Sequence, residues 1–111
     1  MSPLVSHVYQ LGLIEARAYH QVACFEAGVE FARCEGIVPA PEASHAVRCA
    51  IDEALRCKKE GKTETILFNL SGHGHFDMQA YINYFEGKLV DQDYDEKELA
   101  MALAGLPSVA A

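Results

Sequence analysis

The sequence predicts an α/β fold, a small β-α-β based domain whose short parallel sheet is flanked by helices. The apolar run Thr65–Leu70 is typical of a buried strand and breaks into a loop of serine, glycine and histidine. The segment Ile37–Pro41 is predicted to be extended, because Pro39 interrupts any helix there. A long helical pattern separates the two segments, and such a crossover favours a right-handed connection between parallel strands.

Apolar periodicity and end signals predict five helices around these two segments. They span residues 3–11, 20–34, 42–60, 78–85 and 96–104. Asp77 and Asp95 are the predicted N-caps of the last two helices. Gly36 is placed just past the end of the second helix, and Gly28 inside that helix indicates close packing against a neighbour. With 111 residues, the whole of 1–111 is predicted to form a single domain.

Composition and charge exclude several classes of partner. The net charge is −7 and there is no basic stripe, so phosphate-rich nucleic acids are not expected to bind. No apolar run approaches the length of a membrane span, and the N-terminus lacks the features of a signal peptide. We therefore expect a cytoplasmic protein that binds neither nucleic acid nor membrane.

The four cysteines, Cys24, Cys34, Cys49 and Cys57, contain no C-x-x-C pair. A zinc knuckle or a thioredoxin-like motif therefore has no support. Two of them fall in the second predicted helix and two in the third, among alanines and aliphatic residues. We expect free and mostly buried thiols.

The loop after the apolar run carries the residues most suited to binding. Ser71 can donate or accept one hydrogen bond with a ligand, and Gly72 and Gly74 allow close backbone approach. A tight turn capped by Asp77 explains the same residues without any ligand. Both interpretations stay open at the level of the residues alone.

A metal site is a third interpretation of this loop. In extended backbone, His73, His75 and Asp77 would point to one side, as metal ligands do. The pattern resembles the His-x-His-x-Asp-His signature of the metallo-β-lactamase fold, but Met78 stands where the final histidine belongs. This departure makes a metal centre the weakest of the three interpretations.

Several separate blocks of the chain agree in order and spacing with one known family. The blocks are Pro3-Leu4-Val5-Ser6, Glu35-Gly36-Ile37-Val38-Pro39-Ala40, Ser44-His45-Ala46 and Asn69-Leu70-Ser71-Gly72-His73-Gly74-His75-Phe76-Asp77. Together they resemble the C-terminal segment of the tryptophan synthase beta chain family, and especially its beta-like branch. His73 and His75 depart from the arginine and aspartate of the standard beta chain and agree with that branch.

The resemblance implies a part of a three-layer, fold-type II pyridoxal-phosphate enzyme. That enzyme joins L-serine and indole into L-tryptophan by replacement at Cβ. The resemblance assigns the Ser71 hydroxyl to the pyridine nitrogen of the cofactor and Gly72 to the same wall. It assigns Glu35 and Gly36 to the pocket lining near the reacting face.

Two parts of such an enzyme are missing from the sequence. The five lysines lie in polar helix ends or acidic loops, where an amine stays protonated and cannot serve as the Schiff-base residue. A glycine-rich cup for the phosphate is also absent, and in the family both elements lie upstream. We therefore expect no catalytic residue in this chain and no activity from the chain alone. Pyridoxal phosphate is expected to bind to the complete enzyme rather than to this chain by itself. The expected partner is either the missing N-terminal part of the enzyme or further copies of this chain in a homo-oligomer. The alternative is an oligomeric binding module derived from the same fold.

Overall fold

The computed structural model describes residues 2–92 and 96–104. The described residues contain α1 (Pro3–Gln10), α2 (Gln21–Glu35), α3 (Ala43–Glu60), α4 (Met78–Phe85) and α5 (Glu96–Ala104), with a 3-10 turn at Gly74–Asp77. All five predicted helices are confirmed, with ends within one residue of those expected. Asp77 precedes α4 but its side chain forms no capping hydrogen bond, and Asp95 lies outside the described residues.

The predicted β-α-β unit and its parallel sheet are wrong. Between residues 2 and 92 and between 96 and 104 the chain forms no strand, so the predicted α/β class does not hold and the architecture is helical. The Ala40 N–H donates to the Ser71 carbonyl at 2.8 Å, and the Gly74 N–H donates to the Val38 carbonyl at 3.1 Å. Both bonds involve residues that come after Thr65–Leu70 in the chain, so the run itself is not paired. They join residues 71–74 to residues 38–40 in antiparallel order.

The physical reason is that a strand requires a partner backbone. The composition of Thr65–Leu70 indicates burial but cannot supply a neighbour, and its predicted partner contains Pro39, which has no N–H to donate. The run instead packs against α2, where the Phe68 and Phe31 rings meet edge to face with their centroids 6.0 Å apart. Leu67 stays 93% exposed.

A small core lies where α2, α3 and α4 meet. Its buried apolar residues are Cys24, Phe25, Ala27, Val47, Cys57 and Tyr81. Gly28 of α2 lies so close to α3 that a Cβ would be 2.6 Å from the Ser44 Oγ. The close packing predicted for Gly28 is therefore confirmed. Gly36, with φ of 71°, ends α2 as predicted.

All four cysteines are free thiols, as predicted. Cys24 and Cys57 are buried, whereas Cys49 is half-buried and Cys34 is exposed. The expectation of mostly buried thiols thus holds for two of the four. Burial raises the pKa of the Cys24 thiol, which favours its neutral form.

The molecule is less compact than its length predicts. Its radius of gyration is 17.2 Å, whereas a compact domain of this length has about 13 Å. Helix α1 buries none of its residues, and Leu4 remains 71% exposed. Among the described residues, no helix is both long and apolar enough to cross a bilayer.

Asp91 caps α2 from a distant part of the chain. Its Oδ1 accepts the Val22 N–H at 3.0 Å, and the neighbouring Val90 carbonyl accepts from the Gln21 Nε2 at 2.6 Å. An anionic acceptor at a helix N-terminus satisfies an unpaired N–H and interacts favourably with the helix dipole. The two bonds fix the segment that follows α4 to the start of α2.

We expect Asp91→Ala to lower the free energy of unfolding by about 0.5–2 kcal/mol, the usual cost of losing an N-cap acceptor. Asp91→Asn is the matched control, since it keeps an acceptor oxygen and loses only the charge. It is expected to retain most of the stability in urea unfolding. Equal losses in the two variants would show that charge, and not the hydrogen bond to Val22, is what matters.

Candidate functional site

The loop that follows the apolar run is seated on the segment between α2 and α3. Besides the two backbone bonds to Val38 and Ala40, the loop fits closely against Pro39 at Gly74, which is buried. A Cβ at Gly74 would lie 2.2 Å from the Pro39 carbonyl oxygen and 2.6 Å from the Val38 Cγ1. Only glycine fits there without a shift of backbone.

Tyr81 of α4 anchors the same segment from the other side. Its hydroxyl donates to the Pro39 carbonyl at 2.6 Å, and its ring meets Phe25 edge to face at 5.1 Å. Ser44, fully buried, donates to the Ala40 carbonyl at 3.3 Å and lies 3.5 Å from the Tyr81 hydroxyl. Burial raises the pKa of Tyr81, against a smaller opposing effect of Ser44, so Tyr81 remains a neutral donor.

Ser71 lies at the exposed edge of the contact between the loop and the segment that joins α2 to α3. Its carbonyl is held by Ala40, while its side chain is exposed and its Oγ lies 2.8 Å from the His73 Nδ1. Gly72 is also exposed, and a Cβ there would approach the Ile37 Cγ2 at 3.0 Å. The structure therefore brings Ser71 and Gly72 together on one surface, backed by the segment that follows Gly36.

Glu35 and Gly36 lie at the C-terminal end of α2, directly before that segment. Gly36 adopts a left-handed conformation and its N–H donates to the Ala32 carbonyl, which turns the chain toward Ile37. Glu35 is exposed, and no hydrogen bond or ion pair links it to Ser71. The two predicted groups of site residues thus approach each other through Ile37 and Gly72.

The histidines of the loop form an aromatic cluster with Phe76. The His73 ring stacks on Phe76 with an interplanar angle of 9° and a centroid distance of 6.3 Å, and His75 lies 4.1 Å from Phe76. The extended alternation assumed for a metal site is absent, because Gly74–Asp77 forms a 3-10 turn. Within 2–92 and 96–104, no three His, Cys, Asp or Glu side chains are grouped to hold a metal ion.

The five lysines all lie on the surface, as their sequence context predicts. They are Lys58, Lys59, Lys62, Lys88 and Lys97. Lys62 pairs with Glu60 at 2.7 Å, and Lys88 pairs with Glu86 at 2.5 Å. None of the five thus has the desolvated setting of a nucleophilic lysine.

The sequence did not point to Tyr81 or the Pro39 carbonyl, whose hydrogen bond holds the segment on which the loop packs. The signal available was the type of residue at position 81: a tyrosine on the core side of a helix must find a partner for its hydroxyl. The partner itself lies 42 residues away and could not be found from local pattern.

Comparisons with known proteins identify the chain's relatives. It is 62% identical over 89 residues to the tryptophan synthase beta chain 2 of Methanosarcina acetivorans, covering 80% of this chain and 20% of the relative. It is 60% identical over 90 residues to the beta chain 2 of Aquifex aeolicus, covering 81% and 21%. It is 49% identical over 107 residues to the tryptophan synthase beta chain of Pyrococcus horikoshii, covering 96% and 23%.

The chain thus spans about a fifth of the length of the relatives it matches. No protein-family model matches it. The identities are nevertheless high and extend over most of the chain, and two of the three relatives carry the name beta chain 2, in agreement with the beta-like branch. The chain therefore belongs to the tryptophan synthase beta chain family, and corresponds to a C-terminal segment of its members.

Proposed function

We propose that this chain forms the pyridine-side wall of the pyridoxal-phosphate site in a tryptophan synthase beta-like enzyme. The complete enzyme would convert L-serine and indole into L-tryptophan. The observation that carries the proposal is the exposed Ser71 hydroxyl, presented on a loop that the buried Gly74 seats against Pro39. Residues 1–111 would act as one structural unit of that enzyme, in the cytoplasm.

The residues present fit the cofactor's pyridine ring. Ser71 offers an exposed neutral hydroxyl, and Gly72 has no side chain that would block an approaching ring. The cofactor, when bound, supplies an electron-withdrawing ring that stabilises charge at the substrate's Cα. A hydroxyl partner does not hold the ring nitrogen protonated, which weakens this withdrawal and suits elimination and replacement at Cβ.

Glu35 and Gly36 would line the pocket on the reacting side. Gly36 directs the chain from α2 into Ile37, which touches the Ser71–Gly72 wall through Gly72. The exposed Glu35 carboxylate stands at that turn and is free to face a substrate. Its role would be to hold a proton or orient the acceptor, as carboxylates near a reacting centre do.

The chain alone would not catalyse the reaction. Its five lysines are exposed, so none has the desolvated setting that a covalent cofactor link requires. The remaining part of the enzyme would supply that lysine and the phosphate cup. Leu67, 93% exposed, and Phe76, 77% exposed, would then be covered by that part.

A second candidate function is an oligomeric binding module derived from the same fold. The large exposed apolar side chains and the expanded radius of gyration favour it, because self-association would cover the same surface. Sedimentation at several concentrations distinguishes the two. A stable, saturable oligomer supports the module, whereas a monomer that associates only with the rest of a beta chain supports the enzyme segment.

For the chain alone, we expect pyridoxal phosphate to leave no covalently bound absorption band after desalting. Surface lysines react with the aldehyde weakly and reversibly, and none of the five is desolvated by the part of the chain that the structure describes. The measurement is a visible spectrum before and after desalting, followed by borohydride reduction and peptide mapping. Stoichiometric labelling of a single lysine would contradict the expectation, while sparse labelling spread over several lysines agrees with it.

A hybrid enzyme provides the positive test. In the hybrid, this chain replaces the matching segment of the Methanosarcina acetivorans beta chain 2, to which it is 62% identical over 89 residues. The relative then supplies every part that this chain lacks. Retention of pyridoxal phosphate by the folded hybrid supports the proposal, and a folded hybrid that releases the cofactor on desalting contradicts it.

A further inference from the structure

A hydrogen bond joins the side chains of Ser71 and His73, and its direction decides what Ser71 can offer a ligand. The Ser71 Oγ and the His73 Nδ1 lie 2.8 Å apart, and both side chains are exposed. A neutral imidazole carries one N–H and one bare nitrogen, and a hydroxyl carries one proton and two lone pairs. Either partner can therefore be the donor.

The two directions leave Ser71 with different capacities. If Ser71 donates to a bare Nδ1, its oxygen can only accept from a ligand. If the His73 Nδ1–H donates to Ser71, the hydroxyl proton is left for a ligand acceptor. An unprotonated pyridine nitrogen is an acceptor only, so it can bond to Ser71 in the second arrangement and faces a bare lone pair in the first.

We propose that His73 is a positioning residue that donates its Nδ1–H to the Ser71 Oγ and so directs the serine proton toward a bound pyridine nitrogen. The inference rests on the proposed function and deepens it. The two hydrogen bonds, from His73 to Ser71 and from Ser71 to the ring, form a chain in which each polarises the next.

The surroundings of His73 hold its ring in the required place. The imidazole stacks almost parallel to Phe76, at 9°, and the His73 carbonyl accepts the Phe76 N–H at 3.1 Å. Nδ1 faces Ser71, and the 3-10 turn that begins at Gly74 fixes the backbone directly after the histidine. In this geometry Nδ1 is the ring nitrogen that lies within hydrogen-bond distance of Ser71.

The test measures which ring nitrogen of His73 carries the proton. The ¹⁵N-labelled full chain is studied by long-range ¹H–¹⁵N correlation in mildly alkaline solution, which distinguishes the two tautomers of a neutral imidazole. His73→Asn identifies the resonances of His73. We expect the Nδ1–H form in the unsubstituted chain and a shift toward Nε2–H in Ser71→Ala. His75 of the same loop is the internal control and is expected to stay unchanged.

An Nε2–H form in the unsubstituted chain would overturn the inference, because Ser71 would then be the donor. The experiment uses no cofactor, so its outcome is separate from that of the hybrid. Cofactor retention by the hybrid together with Nε2–H overturns the inference alone. Release of the cofactor together with Nδ1–H overturns the proposed function, and only the hydrogen bond from His73 to Ser71 then stands.

A matched pair of variants in the hybrid supplies a second readout. Asparagine at position 73 can place an N–H near the position of Nδ1, whereas phenylalanine keeps a ring for Phe76 and has no donor. We expect His73→Phe to weaken cofactor affinity about 2- to 10-fold, as the loss of one neutral hydrogen bond does, and His73→Asn to retain it. Equal affinities in the two variants would overturn the inference.

Discussion

Gly74→Ala is expected to lower the free energy of unfolding of the chain by about 1–3 kcal/mol, the usual cost of forcing an extra methyl group into a packed site. The added Cβ would lie 2.2 Å from the Pro39 carbonyl oxygen and 2.6 Å from the Val38 Cγ1. Backbone cannot rotate away as a side chain can, and relief would strain the Gly74–Val38 hydrogen bond. Urea unfolding followed by circular dichroism measures the change.

Gly72→Ala is the control, two residues away in the same loop. Its Cβ would meet the Ile37 Cγ2 at 3.0 Å, a branch methyl group of an exposed side chain that can move by rotation about χ1. We expect a loss of about 0.5 kcal/mol or less, as at other surface positions. Similar losses at Gly72 and Gly74 would show that the close contact between Gly74 and Pro39 does not hold the loop in place.

Tyr81→Phe is expected to lower the free energy of unfolding by about 1–3 kcal/mol, because it leaves a buried carbonyl without its hydrogen-bond donor. The Tyr81 hydroxyl donates to the Pro39 carbonyl at 2.6 Å, and Pro39 is itself almost fully buried. The substitution keeps the ring and its contact with Phe25. The effect therefore reports the loss of the hydroxyl and of its contacts with Pro39 and Ser44, and thermal unfolding measures it.

Tyr84→Phe is the matched control on the same helix. The Tyr84 ring stacks on Phe25 at 5.9 Å, and its hydroxyl forms no hydrogen bond with any described residue. We expect the loss of this hydroxyl to change the unfolding temperature little. If the two substitutions had equal effects, the anchoring role of Tyr81 would be contradicted.

The helices were predictable because their signals are local. Gly36, Gly61 and Gly87 each follow a helical pattern, and each adopts the positive φ that ends it. Gly28 likewise marked a close approach that the structure shows against Ser44. Such features depend on a few consecutive residues, which is the range over which propensity and pattern carry information.

The sheet could not be predicted correctly because it depends on a partner. Thr65–Leu70 has the composition of a buried strand, yet Leu67 is 93% exposed and no described segment pairs with the run. An apolar run shows that burial is favourable but does not identify what covers it. The chain spans about a fifth of its relatives' length, so its amino-acid composition reflects the packing of a longer protein.

The contacts that hold the candidate site could not be predicted for the same reason. The sequence pointed to the loop of Ser71 and Gly72, whose residue types are informative by themselves. It missed the anchors Tyr81 and Asp91, whose partners lie 42 and 69 residues away along the chain. Those contacts arise from the packing of α2 against α4 and from the return of the chain to α2, which no local pattern encodes.

Tryptophan formation by the hybrid enzyme, with and without the Ser71 hydroxyl, tests the central claim most directly. The claim predicts that the hybrid retains pyridoxal phosphate and makes tryptophan from serine and indole. It also predicts that Ser71→Ala, which keeps every covalent element supplied by the relative, binds the cofactor about 2- to 10-fold more weakly. A folded hybrid that is inactive, or whose cofactor affinity is the same with alanine at position 71, would contradict it.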